Sequence, residues 1–173
     1  DGLENLHPPL RLSLTPYVST YTNHYPYNEQ GKKNTTTSFN GGADVKWGIN
    51  ESFTLDATLI PDFGQVQSDN QVLNLSPFEV QYQENRPFFT EGTELFNKGD
   101  LFYSRRVGAQ PLGFGDASRP VAEGGQLAKG EFVAQNPGIT RLLNATKISG
   151  RTSKGLGVGV FNAVSAASYA TLQ

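Results

Sequence analysis

From Phe39 to Leu59, apolar residues fall on odd positions and polar or small residues on even ones. Phe39, Gly41, Ala43, Val45, Trp47 and Ile49 alternate with Asn40, Gly42, Asp44, Lys46 and Gly48. After Asn50-Glu51-Ser52 the pattern resumes, with Phe53, Leu55, Ala57 and Leu59 against Thr54, Asp56 and Thr58. A period of two belongs to a β-strand with one apolar and one polar face. Residues that face each other across an antiparallel pair point to the same side of the sheet, which constrains the loop. A two-residue loop at Asn50-Glu51 would set Trp47 against Thr54. A three-residue loop over Asn50, Glu51 and Ser52 sets Ile49 against Phe53, Trp47 against Leu55 and Val45 against Ala57. The pattern therefore predicts a hairpin with a three-residue loop. A polar face carrying Asp44, Lys46 and Asp56 suits a barrel with a watery interior and a lipid-facing exterior.

A second alternating run covers Leu10 to Asn23, with Leu10, Leu12, Leu14, Pro16 and Val18 on one face and Arg11, Ser13, Thr15, Tyr17, Ser19, Tyr21 and Asn23 on the other. Pro16 lacks an N–H and so marks an edge, a bulge or a bend. Residues 1–9, ending in His7-Pro8-Pro9, read as an extended linker from an upstream domain. His24 to Thr37 reads as an exposed loop, and longer loops are expected at 61–76 and 107–137. Strands are expected at Phe78–Tyr82 and Leu101–Arg106. A turn at Thr152-Ser153-Lys154 would set Ile148 opposite Val158 and Thr146 opposite Val160, with Lys147, Ser149 and Arg151 meeting Gly159, Gly157 and Gly155. Phe161 to Leu172 reads as a further strand. Six or seven strands of roughly ten residues match a tilted membrane crossing. The chain ends within such a segment, so the expectation is the N-terminal portion of a larger barrel.

Composition narrows the class. The 173 residues suffice for one domain with a core. Charged residues make up only 17%, aromatic residues are plentiful and the formal net charge is -2, which argues against a disordered chain. The fourteen basic residues are scattered, so no nucleic-acid partner is expected. The absence of cysteine excludes disulfides and thiolate metal centres, and the absence of methionine suggests a mature or partial chain without its signal peptide. No run approaches the roughly 18 apolar residues of a membrane helix, which leaves a β-barrel open.

The blocks GGADVKWGINESFTLDATLIPDFGQVQSD, SPFEVQYQENRPFFTEGTELF and LFYSRRVG resemble a family of Bacteroidota envelope proteins. Its members carry an N-terminal carbohydrate-binding family 9-like domain followed by a large domain of unknown function expected to form an outer-membrane barrel. The resemblance runs from Leu10 to the end of the chain and covers the first part of that barrel domain. It implies the fold and the bacterial outer membrane as location, and brings no catalytic motif with it.

Several side-chain sets invite chemistry. Glu79, Glu84, Glu91 and Glu94 suggest a glycosidase, which needs two carboxylates at a set separation. The competing reading pairs Glu79, Glu84 and Glu91 with Arg86, Arg105 and Arg106 in an Arg–carboxylate network that ties residues 61–92 to the barrel wall. Asp62, Asp69 and Asn70 offer oxygens for calcium, but their spacing matches no calcium loop. His7 and His24 stand apart, which argues against zinc. No GxSxG, P-loop or HExxH motif is present, GLGVGV from Gly155 lacks a following helix start, and no cofactor is expected. Tyr17, Tyr21, Tyr25, Tyr27 and Trp47 suit either an interfacial aromatic girdle or a sugar-stacking platform.

The sequence thus leads to an all-β, antiparallel transmembrane β-barrel. Asp44, Lys46, Asp56, Lys147 and Arg151 would line the lumen, and Phe39, Val45, Trp47, Leu55 and Leu59 would face lipid. The expected role is non-enzymatic: a channel, a transport-associated barrel or a structural partner, touching outer-membrane lipid and other envelope proteins. A soluble β-rich glycan-binding domain is the alternative, and a cell-envelope glycoside hydrolase the third.

Overall fold

A computed structural model of the chain describes residues 11–24, 34–63, 73 and 75–173. Its strands are β1 Leu12–His24, β2 Thr35–Gly48, β3 Phe53–Leu59, β4 Val133–Gln135, β5 Leu142–Arg151, β6 Gly157–Ser165 and β7 Thr171–Leu172. Five form one antiparallel sheet in the order β1-β2-β3-β5-β6, and β4 pairs with β7 in a small second sheet. The chain divides into two compact units, residues 1–67 with 144–162, and residues 68–143 with 163–173. The fold is mostly β and antiparallel, as the alternation predicts. The large sheet has two edges, β1 and β6.

The first hairpin has the predicted register, with Trp47 opposite Leu55 and Val45 opposite Ala57. Its turn is held by Asn50, whose side-chain oxygen accepts from the amides of Ser52 and Phe53 at 2.8 and 2.9 Å. A short polar side chain that bonds the backbone two residues on is a local turn-maker. β1 pairs with β2 over its whole length, from Leu12 opposite Trp47 to His24 opposite Thr35. Pro16 sits in that ladder opposite Ala43, and β1 is an edge strand, where a missing N–H costs no ladder bond on the open side. Of the stretch His24 to Thr37, expected as a loop, His24 belongs to β1 and Thr35 to Thr37 belong to β2, and residues 25–33 lie outside the described residues.

The second hairpin closes one residue later than predicted. The Thr152 carbonyl accepts from the Gly155 amide and the Thr152 amide donates to the Leu156 carbonyl, both at 2.9 Å. The loop is therefore Ser153-Lys154-Gly155, with Gly155 at φ 82° filling the left-handed position that a three-residue hairpin needs. Moving each flank by one residue preserves parity, so Ile148 and Thr146 remain on the face of Val158 and Val160.

Elsewhere the predicted strands are absent. Phe78–Tyr82 and Leu101–Tyr103 are irregular, and Ser104–Arg106 is a 3-10 turn. Helix α1 spans Pro87–Thr90, with proline at a first-turn position where no N–H is needed. The stretch expected as a loop at 107–137 contains helix α2, Phe114–Ser118, a 3-10 turn at Val121–Glu123 and β4. Phe161–Leu172 splits into the end of β6, an irregular stretch and β7. The linker at 1–9 and much of the 61–76 loop lie outside the described residues.

The apolar face of the large sheet carries many exposed residues, while the polar face is open at Asp44 and Lys46 and closed at Thr58 and Lys147. Leu12, Leu14, Val18, Phe39, Trp47, Leu59, Val158, Val160 and Val164 are exposed, Val18 by 85% and Phe39 by 78%. On the opposite face Thr58 is 1% exposed and Lys147 2%. Gly42 makes room for one feature of that polar face. A Cβ there would collide with the Tyr17 ring and the Leu59 carbonyl, whereas one at Gly41, on the other face, meets only ordinary contacts. Gly42→Val should therefore lower the unfolding free energy by about 1–3 kcal/mol while Gly41→Ala stays near wild type, read from denaturant midpoints of the folded protein. Equal effects at the two positions would contradict the face assignment.

Candidate functional site

The register aligns the predicted polar residues into rows. Ser13 faces Lys46, Lys46 faces Asp56 and Asp56 faces Lys147. Asp56 lies 3.9 Å from both ammonium groups, with its own side chain mostly buried. A lysine as buried as Lys147 is costly without an anion, and Asp56 supplies one. The next row runs Thr15, Asp44, Thr58 and Ala145. Asp44 and Lys46 are exposed on this face, and Arg151, at the end of β5, is exposed beside the turn. Phe39, Val45, Trp47, Leu55 and Leu59 share the opposite face by the same parity.

A second cluster forms where β3 ends. Ile60 has φ 49°, an unusual conformation for a β-branched residue, and the chain turns from there toward β1. The Tyr17 hydroxyl donates to the Ile60 carbonyl and accepts from the Asp62 amide at 3.0 Å. The Asp62 carboxylate accepts from the Ser19 hydroxyl and from the Tyr21 hydroxyl, the latter at 2.7 Å. Tyr17, Ser19 and Tyr21 are alternate residues of one strand and so point to one side. The sequence reading places these three on the polar face but treats the tyrosines as girdle or sugar platform. Their hydroxyls instead fasten residues 60–62. The available signal is the i, i+2, i+4 spacing of hydroxyls in β1, which does not reveal a partner more than forty residues away. Tyr25, Tyr27, His7, Asp69 and Asn70 lie outside the described residues.

The predicted Arg–carboxylate contacts lie within residues 79–107. Arg86, 7% exposed, binds Glu84 through both arms, Nε to Oε1 at 2.8 Å and Nη2 to Oε2 at 2.7 Å. It also donates to the carbonyls of Val107 and Ser104, both at 2.7 Å, and stacks 4.1 Å from the centre of the buried Phe89 ring. Glu84 accepts further bonds from the Ser104 hydroxyl at 2.6 Å and from the Arg86 amide at 2.9 Å. Burial pushes the Glu84 carboxyl up, but the hydrogen bonds from Arg86 and Ser104, with the Arg86 charge, outweigh it and hold the group below its ordinary value. Arg106 pairs with Glu79 at the surface, and this hydrogen bond lowers the Glu79 carboxyl. Arg105 lies 6.0 Å from the Tyr82 ring centre. Glu91 ends α1, its amide donating to the Pro87 carbonyl.

Residues 60–62 are thus tied to the sheet by hydroxyls, and Arg86 and Arg106 make the contacts described within residues 79–107. Among the described residues, no group of three or more histidines and carboxylates is placed to hold a metal ion, and no helix is long and apolar enough to cross a membrane.

Sheet and clusters together define a β-rich domain built on an antiparallel five-stranded sheet with one apolar and one polar face. Residues 8–173 match the family described as a domain of unknown function, DUF5916, and the chain belongs to that family. No curated protein and no solved structure matches it.

The clamp gives a pH prediction. Because the folded-state Glu84 carboxyl sits below its ordinary value of 4.5, its contribution is full above that pH and is lost as pH falls through the folded-state value. Near-UV circular dichroism should hold steady from neutral pH to about 5 and decline below about 4.5, with Glu84→Gln flattening that dependence. Arg86→Ala, which strands a mostly buried carboxylate, should cost about 3–5 kcal/mol at neutral pH.

Proposed function

We propose that this domain forms part of the wall of an outer-membrane β-barrel and serves a non-enzymatic envelope role, as a channel, a transport-associated barrel or a structural partner in a membrane complex. The observation that carries this reading is the exposed apolar face of the five-stranded sheet. Val18, Leu14 and Phe39 are exposed while Thr58 and Lys147 are enclosed. In water, such an arrangement forgoes the burial of apolar area that stabilises soluble folds. Against acyl chains an exposed apolar face is favourable, and the polar face, open at Asp44 and Lys46, then looks onto a water-filled lumen.

Strand length and connectivity support the same reading. β1, β2, β5 and β6 have 13, 14, 10 and 9 residues and the central β3 has 7, against about 9–11 for a tilted crossing. Phe53 pairs with Gly150, so the two short turns, at 50–52 and 153–155, lie at one end of the sheet. The connection from β1 to β2 and the long one from β3 to β5 leave from the other end. Outer-membrane barrels place short turns in the periplasm and long loops outside. The start of β1 would then be periplasmic, on the side from which the upstream carbohydrate-binding-like domain implied by the resemblance would enter the barrel. Both oxygens of Glu84 are committed to Arg86, and Ser104 also donates to one of them, so this glutamate is a structural anion and a poor proton donor.

The test is insertion. Val45→Arg or Leu55→Arg on the apolar face should prevent assembly into membranes, at a cost of about 2–4 kcal/mol near the midplane. Asp44→Leu on the polar face should still insert and should alter ion selectivity if the barrel conducts. Equal membrane yields of Val45→Arg and Asp44→Leu would overturn the proposal.

A further inference from the structure

β1 and β3 are not neighbours, since β2 lies between them, yet residues directly after β3 bond to side chains of β1. Strands lie about 4.8 Å apart, so this contact bridges roughly 10 Å across the polar face of β2. Gly42 is the position crossed: it faces Tyr17 in the ladder, and its missing side chain leaves the space that the Tyr17 ring and the Leu59 carbonyl occupy. Asn40, which faces Ser19, is partly covered, whereas Thr35 to Phe39 are exposed. The crossing uses a strained residue, Ile60, in the left-handed region. Such strain, of order 1–3 kcal/mol, persists only where surrounding contacts hold it. Here those contacts are the Tyr17 bonds to Ile60 and Asp62 and the two hydroxyl bonds to the Asp62 carboxylate.

We propose that residues 60–62 form an inward strap, latched to the polar wall by Tyr17, Ser19 and Tyr21, that narrows the lumen and sets access of water-borne solutes to the wall beneath it. The inference rests on the reading of the polar face as the lumen side. Releasing the carboxylate from Ser19 and Tyr21 lets the strained bend at Ile60 relax and uncovers β2 around Asn40.

Because the chain contains no cysteine, single thiols report on both faces. In the full-length protein in membranes, Asn40→Cys is treated with a charged, membrane-impermeant methanethiosulfonate, alone and combined with Asp62→Ala or Asp62→Asn. Asparagine still accepts from both hydroxyls, so Asp62→Asn should leave the reaction rate near that of Asn40→Cys alone, while Asp62→Ala should raise it several-fold. Should Asp62→Ala fail to fold, Tyr21→Phe, which removes a single hydroxyl, should give a smaller acceleration. Phe39→Cys, on the apolar face, should resist the charged reagent in every background and react with a lipid-soluble maleimide. Unchanged Asn40→Cys rates on releasing the latch, with Phe39→Cys still shielded, would overturn the strap and leave the barrel reading intact. Phe39→Cys reacting with the charged reagent as fast as Asn40→Cys would overturn both.

Discussion

The structure depends on the row Lys46, Asp56 and Lys147, which fixes three strands in one register. A slip of one residue would turn every side chain of a strand to the other face. For β5 such a slip would move the enclosed Lys147 ammonium into the apolar stripe and part it from Asp56. The charges therefore act less as a source of net stability than as a penalty on wrong pairings, because an unpaired charge in an apolar setting costs far more than the pair returns. Once this row is set, the apolar residues of β1, β2, β3, β5 and β6 fall on the other side.

Away from the large sheet, the chain is held by side chains bonded to backbone. Among the described residues from 75 to 141, regular structure is limited to short helices and turns and the three-residue β4, so few backbone groups there find ladder partners. Arg86 takes the carbonyls of Ser104 and Val107, the Tyr103 hydroxyl accepts from the Tyr82 amide, and the Asn136 amide group donates to the Phe114 carbonyl. Buried backbone groups must be paired somewhere, and a planar guanidinium with several fixed donors serves two carbonyls and a carboxylate together. Residues 60–62 follow the same logic with hydroxyls in place of a guanidinium.

Much of the large sheet was legible in the sequence. Alternation plus the rule that facing residues share a side sufficed to place Trp47 opposite Leu55, because the loop length was the only freedom left. The second hairpin was one residue out, since a glycine at φ 82° decides where the turn closes and parity says nothing about it. Phe78–Tyr82 failed as a strand for a different reason. Its alternation is real, but alternation describes any extended chain, and here the Tyr82 amide goes to a tyrosine hydroxyl rather than to a neighbouring strand. The pairing of Glu84 with Arg86 was legible as chemistry, two residues apart in sequence, while the carbonyls they clamp were not. The docking of Asp62 on Ser19 and Tyr21 was illegible, because it joins residues more than forty positions apart through bonds that leave no periodic trace.

An apolar sheet face that exposes Leu14, Val18 and Phe39 makes a definite demand on the environment. Acyl chains satisfy it and bulk water does not. The most direct measurement is membrane fractionation of the full-length protein, followed by electrophoresis with and without boiling. A protein that needs detergent for extraction, and whose mobility shifts on heating, is the result expected of a folded barrel whose apolar wall meets lipid. A protein that remains in aqueous buffer, with one mobility at either temperature, would contradict the account and require the face of Leu14, Val18 and Phe39 to be covered by something other than a membrane.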